Sequence, residues 1–182
     1  MGSTPVQIGQ RESDFSNPLG LLSDCHRRIE RFLGVLLRLS EIKQGGELGP
    51  FEGISLKAAL DYFHDAAPKH TADEEESLFP RMRAAGAPAG LDDLESDHQL
   101  ADAAHREVDA LGREWLEQGL LPDIAAQRML ELLRQLADMY SRHIAMEDNE
   151  IFPEAARMLS GEQVAEVGRE MKTRRIPAKT ER

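Results

Sequence analysis

An eleven-residue motif occurs twice in this chain, at residues 70–80 and again at residues 143–153. Both copies read H-x-A-x-E-acid-x-x-aliphatic-F-P. Four residues are little more than one helical turn, so the His and the Glu of each copy lie on one face of a helix. Each copy can therefore offer an imidazole nitrogen and a carboxylate oxygen to the same metal ion.

The repeat extends to a single histidine upstream of each motif. His26 lies 44 residues before His70, and His98 lies 45 residues before His143. Each upstream histidine has leucines at positions −4 and −7 and a carboxylate at position +4. This spacing predicts two helical hairpins of similar plan that bring their polar side chains together. The side chains that converge would be His26, His70, Glu74, His98, His143 and Glu147.

Apolar residues recur at intervals of three and four along four long segments, a pattern that predicts amphipathic helices. These segments cover about residues 17–45, 55–83, 91–119 and 122–152. Pro68 should kink the second helix just before His70, because proline removes a backbone hydrogen bond, and each F-P pair should bend its helix. Ser160 and Gln163 have the spacing of a capping box, which indicates a short fifth helix.

No segment shows the alternation of a β-strand. The sequence therefore predicts an all-α protein, an antiparallel up-down-up-down four-helix bundle with a short extra C-terminal helix. We expect residues 1–16 to form a flexible arm, residues 17–158 the bundle, and residues 159–182 the short helix and tail.

The formal net charge of −11 argues against nucleic acid as a partner, because nucleic-acid binding depends on Lys and Arg at the phosphates. The basic residues near the C-terminus, Lys172, Arg174, Arg175 and Lys179, are predicted to be solvated. No membrane span is expected, since no window approaches eighteen uninterrupted apolar residues. A single cysteine and the lack of a secretory pattern near the N-terminus predict a cytoplasmic protein.

Four histidines and two glutamates on apolar helical faces form a candidate metal site. Their burial without a shared partner would cost about 1 to 3 kcal/mol each, and a metal ion removes that cost by accepting their lone pairs. The set contains no thiolate, which excludes a zinc site with cysteine ligands and leaves Fe, Mn, Zn or Co. The set exceeds the need of one tetrahedral ion and suits two ions, with carboxylates as bridges and some positions open.

With both H-x-x-x-E motifs, both upstream histidines and both F-P pairs in this order, the chain resembles the hemerythrin-like, or HHE cation-binding, family over roughly residues 18–158. The resemblance implies a non-haem di-iron centre inside the bundle, bridged by oxo or hydroxo and by the carboxylates of Glu74 and Glu147. Mn or Zn could replace the iron. It further implies a small ligand, namely dioxygen, nitric oxide or peroxide.

The chain differs from the oxygen-carrying hemerythrins at two positions. Those proteins have a second histidine four residues after the histidine of the third helix, where this chain has Asp102, and the missing imidazole argues against reversible oxygen storage. Their last carboxylate is an Asp five residues after the preceding His, where this chain has Asp148 beside Glu147. We favour Glu147, because it corresponds to Glu74 in the repeat. Asp102 and Glu30 could each ligate, orient a histidine or face water.

Four other residues are predicted to lie outside the ligand set. His105 shares the face of His98 but lies about 10 Å further along the helix axis, and His64 faces away from His70. Tyr140 is expected to pack in the bundle, and Cys25 to be buried and unreactive.

The leading interpretation is a di-iron protein that binds a diatomic ligand or peroxide for sensing, scavenging, or iron handling and repair. Open coordination positions serve binding and catalysis alike, so a di-metal oxidoreductase that turns over peroxide or nitric oxide is the first alternative. A structural or adaptor bundle with a degenerate site is the second. The pattern is closest to the branches of the family linked to the repair of iron centres and to iron or oxygen sensing.

Overall fold

The computed structural model describes residues 13–86 and 90–176, and these residues form helices and no β-strand. Its α-helices are α1 (Pro18–Lys43), α2 (Pro50–Asp65), α3 (Ala67–Asp73), α4 (Phe79–Ala84), α5 (Leu91–Gln118), α6 (Asp123–Met146), α7 (Phe152–Met158) and α8 (Gly161–Arg174). Two π-helical turns, π1 (Glu74–Leu78) and π2 (Glu147–Ile151), join α3 to α4 and α6 to α7.

The predicted all-α bundle is confirmed. One arm is α1, the second is α2 to α4, the third is α5, and the fourth is α6 with π2 and α7. Arms that follow one another along the chain pack together, and α6 returns to pack against α1, which closes the antiparallel bundle. None of the helices in the described part of the chain combines the length and apolarity needed to cross a membrane.

The second arm begins earlier than predicted. Its first helix starts at Pro50 rather than near Ser55. The Gly49 N–H donates a hydrogen bond of 2.6 Å to Glu52 Oε2, and Pro50 occupies the first turn, where its missing N–H is not needed. The Gly-Pro pair is therefore the start of the helix.

The predicted kink before His70 is confirmed. The helix α2 ends at Asp65 and α3 begins at Ala67, with Pro68 in its first turn. Pro68 cannot donate a backbone hydrogen bond, so the ladder of α2 does not continue through it. The Lys69 N–H donates to the Ala66 carbonyl at 3.2 Å and starts the new helix.

A wider helical turn begins at the glutamate of each repeated motif. The Phe79 N–H donates to the Glu74 carbonyl, and the Phe152 N–H donates to the Glu147 carbonyl, five residues back in each case. A proline follows each phenylalanine and has no N–H to give to the residue four positions earlier. The helical ladder therefore widens by one residue before the proline, and the bend expected at each F-P pair takes the form of a π turn.

Two clusters of apolar side chains fill the bundle, and the predicted ligands lie between them. The terminal cluster, near the chain ends, includes Leu21, Leu22, Leu78, Phe79, Met82, Leu94, Ile151, Phe152, Val167 and Met171. The distal cluster, towards the other end, includes Ile29, Leu33, Leu36, Leu60, Val108, Trp115, Met129, Leu133 and Leu136. Apolar packing on both sides keeps water away from the polar layer, which raises the energetic cost of any unpaired group in it.

The extra helix α8 covers the terminal cluster. Its start is the predicted capping box, in which Ser160 Oγ accepts from the Gln163 N–H at 3.2 Å and Gln163 Oε1 accepts from the Ser160 N–H at 2.9 Å. Val167 and Met171 of this helix are buried against the terminal cluster. Of the arm predicted for residues 1–16, only residues 13–16 are among the described residues, and Phe15 packs against the terminal cluster.

The end of α8 is held by ion pairs, so the prediction of a solvated basic end is wrong for two of its residues. Arg174 Nη1 lies 3.0 Å from Asp73 Oδ1, and Arg175 Nη2 lies 2.6 Å from Asp73 Oδ2. Asp73 is fully buried, and a buried carboxylate requires a partner. Lys172 is exposed, and Lys179 lies outside the described residues.

Candidate metal centre

The six predicted ligands lie in one layer of the bundle. Both glutamates are 0% exposed, and the four histidines are between 1% and 8% exposed. On α1, for example, His26 lies between Leu22 of the terminal cluster and Ile29 of the distal cluster. The apolar periodicity that forms each arm therefore also directs its histidine inward.

Glu74 lies between two pairs of histidines, which are His26 with His70 and His98 with His143. Its Oε1 lies 3.3 Å from His70 Nε2 and 3.9 Å from His26 Nε2. Its Oε2 lies 3.4 Å from His98 Nε2. The two oxygens of one carboxylate thus approach histidines of different pairs, which is the arrangement of a bridge between two ions.

Glu147 occupies the corresponding position on the fourth arm. Its Oε2 lies 3.0 Å from His26 Nε2 and 3.1 Å from His143 Nε2, and the Nε2 atoms of His98 and His143 are 3.1 Å apart. Within each of two sets of residues, the possible ligand atoms lie within 4.8 Å of one another. The sets are His26, His70, Glu74 and Glu147, and His98, His143 and Glu147. Because they share Glu147, the structure offers two adjacent places for a cation.

Carboxylates outside the layer orient three of the four histidines. The pairs are His26 Nδ1 and Asp148 Oδ1 at 3.1 Å, His98 Nδ1 and Glu75 Oε1 at 2.8 Å, and His143 Nδ1 and Asp97 Oδ2 at 3.4 Å. These partners assign the proton of each neutral ring to Nδ1, which leaves the lone pair of Nε2 for the interior. An outer carboxylate also fixes the ring orientation and raises its basicity as a ligand.

His70 is the exception. Its Nδ1 is buried and has no hydrogen-bond partner within the described residues. The repeat explains the difference, because Asp97 directly precedes His98, whereas the residue directly before His26 is Cys25. Cys25 is buried, as predicted, and burial raises the pKa of its thiol. The two halves of the centre therefore differ in the outer partner of one histidine.

Burial and neighbouring charges shift the pKa values of the side chains in the layer. Burial alone would lower the pKa of His26, but the hydrogen bond to Asp148 and the close carboxylate of Glu147 raise this pKa to about 9. Burial would raise the pKa of Glu147, but the imidazoles of His143 and His26 lower it below its ordinary value. Burial and then the charge of Glu147 raise the pKa of Glu74 well above the ordinary carboxyl value. Positive charge placed between the two carboxylates would allow both to ionise.

The buried oxygens test whether a cation fits. No oxygen of Glu74 or Glu147 has an aligned hydrogen bond within the described part of the chain, although imidazole nitrogens lie 3.0 to 3.4 Å away. Such orphaned acceptors are rare in folded proteins, since each costs about 1 to 3 kcal/mol. A cation shared by nitrogen and oxygen donors satisfies all of them, so these residues fit a metal site.

The alternatives left open for the other carboxylates are decided by exposure. The side chain of Asp102 is 61% exposed and lies 3.0 Å from Arg106 Nη1. Glu30 is exposed to solvent as well. Both therefore face water. Asp148 belongs to neither set of possible ligands and contacts His26 from outside, whereas Glu147 points into the layer.

The remaining histidines lie where the sequence places them. His64 is exposed. His105 Nε2 lies 3.1 Å from the Tyr140 hydroxyl, and burial lowers the pKa of His105 to about 4. His105 is therefore neutral near pH 7, and its Nε2 shares a hydrogen bond with the Tyr140 hydroxyl.

Sequence reasoning missed the outer carboxylates Glu75 and Asp97. A signal for them exists, because each is adjacent in sequence to an inner residue, as Glu75 follows Glu74 and Asp97 precedes His98. Neighbouring residues on a helix point about 100° apart, so the neighbour of a ligand can reach the histidine of the next arm.

Comparison with known proteins agrees with this geometry. An uncharacterised protein of Haemophilus influenzae is 28% identical over 168 residues, which cover 91% of this chain and 94% of that protein. A family model, the Hemerythrin HHE cation binding domain, matches residues 17–155, a range that contains all six predicted ligands. The family match and the buried group of histidines and glutamates both point to metal-ion binding, and the chain belongs to the hemerythrin HHE cation-binding family.

Proposed function

We propose that the chain holds two iron ions in this layer and binds dioxygen, nitric oxide or peroxide there. The observation that carries the proposal is the pair of overlapping ligand sets that share the buried carboxylate of Glu147. One cation would leave imidazoles of the other set without a partner, whereas two cations use all six side chains. Imidazole and carboxylate donors suit iron, and Mn or Zn could occupy the same donors.

The ligand count supports open positions. Each ion would receive two imidazoles, from His26 and His70 or from His98 and His143, together with oxygens of Glu74 and Glu147. Four protein ligands leave about one or two positions free on an ion that takes five or six ligands. When bound, iron would supply these open positions and one-electron redox chemistry.

The rest of the layer would hold and protect the centre. Asp148, Glu75 and Asp97 would keep the Nε2 lone pairs aimed inward. The terminal and distal clusters would exclude bulk water, so that charges in the layer interact more strongly than they would in water. A cytoplasmic role in sensing, scavenging, or iron handling and repair is part of the proposal.

Metal analysis of anaerobically purified protein tests the proposal. We expect about two iron ions per chain, and after oxidation an oxo-to-iron absorption band in the near ultraviolet. Glu147→Gln should lose most of the iron, because glutamine keeps the shape but not the charge of the shared ligand. Glu30→Gln removes an exposed carboxylate on α1 and is the matched control. This variant should retain the iron.

A folded chain with no bound metal would contradict the proposal, and one ion per chain would contradict its di-metal form. Protein isolated from its native cells is the preferred sample, since a recombinant host can load another ion. Steady-state assays with peroxide or nitric oxide and an electron donor would separate a binding protein from a di-metal oxidoreductase.

A further inference from the structure

Three connected cavities lead from the surface to the metal layer. An outer cavity of about 310 Å³ and a middle cavity of about 150 Å³ share four lining residues, Phe63, Pro68, Asp102 and His105. The middle cavity shares Ala67, Thr71, His98 and Tyr140 with an inner cavity of about 10 Å³. The inner cavity is also lined by the other three histidines of the centre. The shared walls place the three cavities next to one another in a row from the surface to the centre, and we call this row the passage.

The passage follows the break between α2 and α3. Ala67 and Pro68 lie at that break, and both line the middle cavity. Small side chains, Ala67 and Thr71 on α3 and Ala101 on α5, leave the gap between the second and third arms open. The broken helix therefore produces the opening as well as the position of His70.

The size of the passage limits what can travel through it. A water molecule needs about 10 to 15 Å³ on the same measure, so the inner cavity holds one molecule of about that size. The larger middle cavity is walled by the rings of Phe63 and Tyr140 and by alanine methyl groups. Only a small ligand therefore fits the inner end of the passage.

Charge does not select the ligand. Asp102 is the one charged side chain that lines the middle cavity among the described residues, and it pairs at 3.0 Å with Arg106, which lines the outer cavity. The size of the passage is therefore what limits the ligand.

We propose that small molecules, such as dioxygen or nitric oxide, reach the metal centre along this passage, with Thr71 and Tyr140 at its narrowest point. This inference rests on the proposed function, because it names the class of ligand and its route to the same site. Thr71 is the point of control, since it lines both the middle and the inner cavity and its side chain is only partly buried.

The test compares Thr71→Leu, which fills the narrow point, with Thr71→Val, which keeps the volume. Nitric oxide is mixed with the reduced, iron-loaded proteins, and its association rate is measured by stopped-flow absorbance. We expect Thr71→Leu to associate at least tenfold more slowly than Thr71→Val, with equal iron content and equal spectra of the final complex. Ala101→Leu, on the opposite wall, should slow association in the same way.

Equal association rates in the Leu and Val variants would overturn the passage while leaving the di-iron proposal intact. A readout that does not depend on iron is xenon bound in pressurised crystals. Xenon density between Phe63 and Tyr140 in Thr71→Val, and its loss in Ala101→Leu, are expected. The absence of xenon from Thr71→Val would count against the passage even if iron binds, and a chain that binds xenon there but no iron would refute the proposed function alone.

Discussion

Asp148 Oδ1 lies 3.1 Å from His26 Nδ1, on the side of the imidazole that faces away from Glu147. The same oxygen accepts a hydrogen bond of 2.7 Å from Ser23 Oγ, so the carboxylate is held from two sides. Glu147 and Asp148, adjacent on one helix, thus contact opposite nitrogens of one histidine. An outer carboxylate in this position makes the histidine a stronger and better oriented ligand.

Asp148→Asn should therefore weaken metal binding although Asp148 is not in either ligand set. Asparagine can still accept the hydrogen bond but carries no charge, so we expect the affinity to fall by about tenfold to a hundredfold. Competition with a chelator of known affinity measures the change. Glu150→Gln, two residues away and exposed, is the control and should bind as the parent chain does. Equal metal affinities in the two variants would contradict the claim that Asp148 orients His26.

The metal-free chain should lose stability as pH rises above 4.5, the ordinary pKa of a glutamate, because of Glu74. Burial and the charge of Glu147 raise the pKa of Glu74, so the folded chain keeps a proton that the unfolded chain has released. The contribution is present at low pH and is lost at up to about 1.4 kcal/mol per pH unit until the raised pKa is reached. Urea unfolding across pH measures it.

Glu74→Gln removes that titration and should flatten the pH profile of the metal-free chain. The same variant should bind less metal, because the bridging carboxylate is gone. An unchanged pH profile in Glu74→Gln would show that the buried carboxylate is not the origin of the loss. Glu30→Gln on the exposed face of α1 should keep the slope of the parent chain.

His105 should make the bundle sensitive to acid. Its pKa is about 4 in the folded chain against an ordinary value of 6.5, so the unfolded chain takes up a proton first as pH falls. The linked loss of stability between pH 7 and pH 5 is about 2 kcal/mol. His105→Gln should lack this share of the loss, which urea unfolding of both metal-free chains at the two pH values would measure. If the stability of both chains falls equally between pH 7 and pH 5, the buried His105 is not the cause of the loss.

The ion pairs at Asp73 should contribute to the attachment of α8. Among the described residues, Arg174 and Arg175 form the ion pairs with Asp73. Arg175→Gln therefore leaves the buried carboxylate with Arg174 alone. Loss of one partner from a buried pair is costly, and we expect about 2 kcal/mol in the free energy of unfolding. Thermal and urea unfolding measure it. Lys172→Gln, an exposed neighbour, should change stability by less than about 0.5 kcal/mol.

The repeat and its apolar periodicity were enough to predict the fold and the convergence of six side chains, because both depend on residues that recur at fixed helical intervals. The prediction for Glu147 against Asp148 also followed from the repeat, and the structure places Glu147 inside and Asp148 outside. Whether these side chains bind metal stays a prediction, which the experiments above address.

Other features could not be predicted, because they depend on contacts between distant residues. Glu75 and His98 are 23 residues apart, and Asp73 and Arg175 are 102 residues apart. Neither pair has a periodic signature, so the partner of each carboxylate is known only from the three-dimensional structure. The start of α2 at Pro50 depends on the hydrogen bond from the Gly49 N–H to Glu52, and the apolar periodicity does not reveal this contact.

The wide turns that begin at Glu74 and Glu147 also determine which residues face the core beyond the metal layer. Four residues of an α-helix overshoot a full circle by about 40°, so inward positions drift sideways with each step. A wide turn takes up one extra residue, and Leu78 and Ile151 are buried four residues after the glutamates. Removal of a single residue from either wide turn would therefore rotate every later side chain of that arm away from its neighbours, so the length of this short stretch is constrained more tightly than its composition.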